Sequence, residues 1–219
     1  MAFTPSPQLL QRLLQIGSRA ASTFPTIINS YQLALEVESL EGDIMECGIG
    51  KGSQLGAMAL ATSKKLWAVD SFQGIPLAGK KDTQQPGIGE ITHDVNVPEA
   101  ELLVTSGTAA YSVDTVKTHM KEWGFEQKNV QYVKGWFEHT VKDIKVEKLA
   151  LLRLDGDLYS STIVCLEHLY PKLVKGGYLI IDDFALTGCF RACQEYLGED
   201  IKERVTVIEG GLGPVYIQK

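Results

Sequence analysis

Seven apolar runs of strand length recur along the chain: DIMECGIG (43–50), KLWAVD (65–70), VQYVKG (130–135), LALLRLDG (149–156), GYLIIDD (177–183), VTVIEG (205–210) and PVYIQK (214–219). Apolar residues return at helical spacing between most of them, so strands alternate with helices. This order predicts an α/β fold with a mostly parallel seven-stranded sheet and helices on both faces. The last two runs are joined by a short Gly-Gly connection, which predicts a closing hairpin and hence an antiparallel edge strand. Before the first strand, residues 6–40 read as helical, with Leu9, Leu10, Leu13 and Leu14 forming an apolar stripe that covers the site, a partner subunit or the core. From Gly74 to Gly107 the rhythm breaks into a stretch rich in Gly, Pro, Lys and Asp, read as a mobile lid loop (74–107). At 219 residues the chain suits one domain (1–219), with residues 1–40 as its helical cap.

Two of the runs end in acid. LLRLDGDLYSST and GGYLIIDDF are linked by IVCLEHLYPKL, whose Ile163, Leu166, Tyr170 and Leu173 read as a crossover helix, with Ser160 as its N-cap. A right-handed crossover returns the chain beside its starting strand. Asp155, Asp157, Asp182 and Asp183 therefore meet at the carboxyl edge of the sheet, where open α/β folds bind ligands. Two carboxylates about 4 Å apart repel by about 4 kcal/mol at an effective dielectric of about 20. The group requires a metal, a basic residue or raised pKa values. A hard divalent ion such as Mg²⁺ suits all-oxygen ligands; strand alternation places Arg153 on the same face as Asp155 and Asp157, and a buried ion pair is the metal-free alternative.

The first strand leads into glycines at 48, 50 and 52 and a helix beginning near Ser53, whose backbone amides suit an anionic group. The next strand ends in Asp70, placed to accept two ribose hydroxyls. Glu46 at the mouth of the first strand is either the receptor for a ligand ammonium or a satisfied strand-end carboxylate. After the third strand come Gly135, Trp136 and Phe137; Trp136 either stacks on an adenine ring or packs in the core, and Phe137 reads as core. His93 and His139 read as ordinary polar residues.

Composition narrows the function. A net charge of −6 with no basic run gives nothing to track a phosphate backbone, which argues against nucleic acid as a partner. No apolar run approaches the length of a membrane span, so no membrane partner and a cytoplasmic location are expected. Cys47, Cys165, Cys189 and Cys193 follow neither a disulfide framework nor a zinc pattern.

Taken in order, GDIMECGIGKGS, WAVDSFQGIP, VQYVKGWFEHT, LLRLDGDLYSST, LYPKLVKGGYLIIDDF and GPVYIQK resemble the macrocin O-methyltransferase family of S-adenosylmethionine-dependent enzymes, over about residues 40–219. The resemblance implies a class I methyltransferase fold, S-adenosylmethionine and a divalent metal, usually Mg²⁺, and a small-molecule hydroxyl acceptor, a sugar in preference to a phenol. It implies Asp155, Asp182 and Asp183 as metal ligands and Asp157 as general base, with Asp155 as the alternative base. The implied cofactor pocket comprises Glu46, Gly48, Gly50, Ser53, Asp70, Ser71, Phe72, Gly135, Trp136 and Asp155. A homo-oligomer is left open by the family and by the apolar stripe. The glycine turn CGIGKGSQ departs from the family pattern, which carries an aromatic and an arginine before its last glycines. Three other readings compete. A haloacid-dehalogenase-like phosphotransferase places its D-x-D after the first strand, unlike this order; a nicotinamide oxidoreductase leaves four aspartates unexplained; a non-catalytic S-adenosylmethionine-binding protein predicts binding without turnover.

Overall fold

The fold is described from a computed structural model, which covers residues 3–82 and 101–219. The expected lid (74–107) lies in large part, and His93 wholly, outside these residues. The described flanks of that segment are fastened to each other: the Ile75 amide donates to Thr108 O (3.0 Å), the Ser106 amide to Ile75 O (2.9 Å), and Pro76 bridges Thr105.

Two helices precede the sheet, α1 (Pro7–Gly17) and α2 (Phe24–Glu36), each with proline in its first turn, where a missing N–H costs nothing. There follow β1 (Asp43–Cys47), α3 (Ser53–Ala61), β2 (Leu66–Asp70), α4 (Val113–Glu122), β3 (Val130–Lys134), α5 (Phe137–Thr140), β4 (Leu149–Leu154) and α6 (Tyr159–Leu169). The chain ends with β5 (Leu173–Ile181), α7 (Thr187–Leu197), α8 (Ile201–Arg204), β6 (Thr206–Val207) and β7 (Val215–Gln218). All seven expected strands are present, in the order β3-β2-β1-β4-β5-β7-β6. β1 to β5 run parallel; β7 pairs antiparallel with β5 and carries the two-residue β6 at the sheet edge. Strand order reverses between β1 and β4, which creates the crevice where open sheets bind ligands.

The sheet is covered on both sides, which explains why its central runs are continuously apolar. Met45, Cys47, Trp67, Val69, Leu152, Leu154, Leu179 and Ile181 pack with Cys165, Leu166 and Leu169 of α6 and Cys189 and Cys193 of α7. The alternating positions Ile44, Leu66, Ala68, Leu151 and Ile180 pack with Leu33 of α2, Leu55 and Met58 of α3 and Val116 of α4. Each fully buried Leu or Ile contributes about 1.5–3 kcal/mol. All four cysteines are buried and free. Among the described residues no helix is long and apolar enough to cross a membrane.

Three local expectations change. The amino-terminal stripe divides, because at 3.6 residues per turn the four leucines span about 140° of the helix, wider than the buried face: Leu13 and Ile16 are buried, while Leu10 and Leu14 are exposed. Helix α6 starts at Tyr159, so Ser160 lies inside it and Leu158 holds the cap position without a side-chain bond. Asp82 Oδ1 accepts from the Tyr159 amide instead (2.7 Å). Finally, β4 ends at Leu154, and Asp157 adopts φ +59°, so strand alternation does not extend to it.

Candidate functional site

The β1–α3 turn is shaped by close approach. Gly48 has φ +90°, and a Cβ there would lie 1.7 Å from the Asp155 carbonyl oxygen, so the chain just beyond β1 and β4 approaches this closely only because this residue has no side chain. Asp70 at the end of β2 fastens the turn: the Ile49 amide donates to its Oδ2 and the Phe72 amide to its Oδ1, each at 2.6 Å. Burial pushes the Asp70 carboxyl above the usual range, and these amides oppose that shift. Ser71 Oγ also lies 3.5 Å from Oδ1, so the second lone pair of Oδ2 is the one open to a ligand hydroxyl. Ser71 Oγ donates to Gly74 O (3.0 Å).

The cap is tied into this half of the site. Ser53 Oγ donates to Ile16 O (3.0 Å), and Gln54 Nε2 donates to Ser22 Oγ (2.8 Å) and Thr26 Oγ1 (3.1 Å). Arg19, Ser22 and Thr23, from the α1–α2 connection, line the same cavity as the glycine turn. Gln54 and Arg19 were missed by sequence reasoning, because neither sits in a motif and only the docking of the cap brings them there.

At the other half, hydrogen bonds from Asp155 N to Cys47 O (2.8 Å) and from Asp182 N to Leu154 O (2.9 Å) carry the ladder past the strand ends and bring the acidic residues side by side. Arg153 of β4 stands in register with Glu46 of β1, and both side chains are 1% exposed. The guanidinium is shared three ways: Nη1 donates to Glu46 Oε1 (3.1 Å) and Asp155 Oδ2 (2.9 Å), and Nη2 donates to Asp182 Oδ1. Among the described residues, no ion pair serves Asp157 or Asp183. One oxygen each from Asp155, Asp157 and Asp183 falls within a 4.8 Å group, and the Asp157 amide donates to Asp183 Oδ2 (2.8 Å). The four aspartates thus gather as expected. Asp157 is the third member of the close group, while Asp182, expected as a metal ligand, is turned to Arg153. Burial first, and then neighbouring carboxylates, push Asp155 up to about 7 and Asp157 up to about 6; Asp183 is raised well above its ordinary value for the same reasons. Burial likewise pushes Glu46 up to about 8, against the attraction of Arg153.

The two halves face one cavity of about 550 Å³. Glu46, Gly48, Gly50, Ser53, Asp70, Ser71, Trp136, Asp155, Asp157, Asp182 and Asp183 line it; Phe72, Gly135 and His139 do not. Phe72 is 6% exposed and packs in the core on the α3 side, with φ +52° turning it inward. Gly135 instead joins β3 to β2, its amide donating to Asp70 O (2.9 Å). Phe137 does both, belonging to the core and reaching the cavity wall. Ala185, Leu186, Leu212 and Pro214 give the cavity apolar lining, and Leu212 is 86% exposed on the β6–β7 connection.

The polar lining fits an amino-acid nucleoside. Glu46 Oε2, Arg19 Nη1, Thr23 Oγ1, Gln54 Oε1 and Glu138 Oε1 are buried without a hydrogen-bond partner among the described residues, and all belong to residues lining this cavity. Such atoms cost about 1–3 kcal/mol each unless a ligand or water satisfies them. The all-carboxylate group, in turn, fits a hard divalent cation.

The family described as Macrocin-O-methyltransferase (TylF) matches residues 16–218. An 8-demethyl-8-(2,3-dimethoxy-alpha-L-rhamnosyl)-tetracenomycin-C 4'-O-methyltransferase of Streptomyces olivaceus is 32% identical over 180 residues, covering 79% of this chain and 65% of that protein. A mycinamicin III 3''-O-methyltransferase of Micromonospora griseorubida is 32% identical over 172 residues, covering 73% of this chain and 61% of that protein. The chain therefore spans less than two thirds of the length of these curated relatives. The solved structure of the O-methyltransferase NovP superposes with a TM-score of 0.68 at 26% identity, over 97% of this chain and 90% of that one.

Proposed function

This chain belongs to the macrocin O-methyltransferase family, and from that premise we propose that it transfers a methyl group from S-adenosylmethionine to a hydroxyl of a small natural product, a sugar hydroxyl in preference to a phenol, with Mg²⁺ or another divalent cation. The observation that carries the reading is the single cavity in which an unpartnered Glu46 oxygen, the Asp70 carboxylate and the Asp155–Asp157–Asp183 group stand together. The sugar preference rests on the rhamnosyl group in the name of the tetracenomycin relative.

When bound, the sulfonium cofactor supplies an activated methyl group and the divalent cation supplies Lewis acidity at the acceptor oxygen. Glu46 receives the cofactor ammonium, and Arg19 and Thr23 offer donors to its carboxylate. Asp70 accepts a ribose hydroxyl at Oδ2 while its amide bonds keep the glycine turn fixed. Asp155, Asp182 and Asp183 would hold the cation, whose hard character suits all-oxygen ligands; Arg153 donates to two of them, Asp155 and Asp182. Asp157 takes the hydroxyl proton at its carboxylate, which lies in the close group beside Asp155 and Asp183 and is engaged by no ion pair among the described residues. The remaining requirement is alignment of the oxygen with the methyl group, which the rigid strand ends serve.

Incubation with S-adenosylmethionine, Mg²⁺ and a panel of rhamnosides, read by mass spectrometry, tests this proposal. The expected result is a rhamnoside that gains one methyl group, with loss of that product in excess EDTA. An undiminished rate in EDTA contradicts the metal assignment, and methylation of simple phenols alone contradicts the sugar preference.

A further inference from the structure

Arg153 is the largest of the fully buried side chains and the sole described cation within the acidic cluster. Its position is unusual in one respect: it touches both halves of the site. Through Nη1 it holds Glu46 Oε1 at 3.1 Å on the cofactor side and Asp155 Oδ2 at 2.9 Å on the aspartate side. Glu46 and Asp155 thus draw on one nitrogen of one guanidinium, and Asp182 takes the other. A charge held by three carboxylates neutralises none of them fully. Any ligand that satisfies one carboxylate releases part of that charge to the others.

From this shared contact we infer that Arg153 is a positioning residue that couples the two binding events, so that the metal and the cofactor ammonium each weaken the binding of the other. The inference rests on the proposed function, because it takes Glu46 as the ammonium receptor and Asp155 as a cation ligand. A cation at Asp155 ends that residue's claim on Nη1, and the guanidinium then serves Glu46 more fully. Glu46 is left with less charge to offer an incoming ammonium. In the other direction, an ammonium at Glu46 frees Nη1 for Asp155, where it competes with the cation. Linkage makes the two effects equal in size. Glu46 Oε2, buried and without a partner among the described residues, is where the ammonium would meet this relay.

The test is calorimetric titration of the purified wild-type protein with S-adenosylhomocysteine, with and without saturating Mn²⁺, and the converse titration of Mn²⁺ with and without S-adenosylhomocysteine. The product cofactor carries the ammonium and carboxylate but no sulfonium charge, so its net charge is zero. Adenosine, which lacks the ammonium, serves as control. Expected is a Kd for S-adenosylhomocysteine at least about fivefold weaker with Mn²⁺, the same factor in the converse titration, and no change for adenosine. In Arg153→Lys, whose point charge cannot bridge two carboxylates through one planar fork, the factor falls below about twofold while both ligands still bind. Both ligands binding to the wild type without mutual effect overturns the inference but leaves the proposed function standing. So does an equal effect on adenosine, or a coupling that persists in folded Arg153→Lys. Failure of S-adenosylhomocysteine to bind at all overturns the proposed function, and the inference with it.

Discussion

Asp70 and the Asp155–Asp157–Asp183 group stand on the same edge of the same sheet, yet their surroundings are opposite. Asp70 accepts two short bonds from the backbone amides of Ile49 and Phe72. Asp157 and Asp183 face other carboxylates, and the nearest guanidinium is already divided among Glu46, Asp155 and Asp182. Burial raises the pKa of both kinds of group, but in Asp70 the opposing influence is built into the chain, whereas in Asp157 the further influences also raise it. A buried carboxylate is therefore not by itself a sign of chemistry. The sign is a buried carboxylate whose compensation must come from outside the chain.

The sharpest break of this contrast is at the seam between the two regions. Gly48→Ala places a Cβ against the Asp155 carbonyl at a separation no atom pair tolerates; the expected outcome is loss of soluble folded protein. Gly50→Ala is the control: its Cβ meets nothing within 4 Å among the described residues, so the expected cost is the left-handed backbone penalty, about 1–2 kcal/mol, and circular dichroism with thermal melts separates the two.

Next in size is Asp157→Asn, expected to lower turnover by about 100-fold or more while the Kd for S-adenosylhomocysteine stays within about twofold. If Asp157 were instead an indispensable cation ligand, Mn²⁺ affinity would collapse in this variant.

A third prediction concerns stability and pH. The folded-state pKa of Asp157 lies near 6, above its ordinary 3.8. The folded state thus binds more protons between those values, and metal-free stability declines as pH rises from about 4 through about 6. Asp157→Asn removes only the share of that decline due to Asp157, since Asp155, Asp183 and Glu46 are raised as well, so the variant's melting temperature should exceed that of wild type by a margin that grows across this window. The gain is at most about 3 kcal/mol, or several degrees. Saturating Mg²⁺ should close the gap; a gap that is flat with pH would contradict the assignment. The smallest effect is expected at Leu212→Ala, where removal of an exposed apolar wall should raise the acceptor KM a few-fold and leave cofactor binding unchanged.

Much of this was legible in the residues. The central strands β1, β2 and β4 could be read because strands covered on both faces are apolar almost without interruption, and the acid-tipped pair because a crossover helix of ordinary length separates them. Asp70 was legible from its distance beyond the glycine turn. The identity of the close carboxylate group was not. Alternation placed Asp157 beside Asp155, as they stand; the resemblance implied Asp182 in that group, and its turn toward Arg153 depends on the pairing of β4 with β5, which leaves no local pattern. At Phe72, likewise, a positive φ accompanies a ring that packs in the core, and no local pattern announces it. The contributions of Arg19, Gln54 and Asp82 depend on docking between segments distant in the chain, and such contacts leave no local pattern.

The most direct measurement is calorimetric titration of the purified protein with S-adenosylhomocysteine beside NAD⁺ at the same concentrations, since it needs no knowledge of the acceptor. Micromolar binding of S-adenosylhomocysteine, lost in Glu46→Gln and absent for NAD⁺, is the predicted result. Binding of NAD⁺ instead, or of neither, would contradict the assignment of the glycine turn, Glu46 and Asp70 to a sulfonium cofactor.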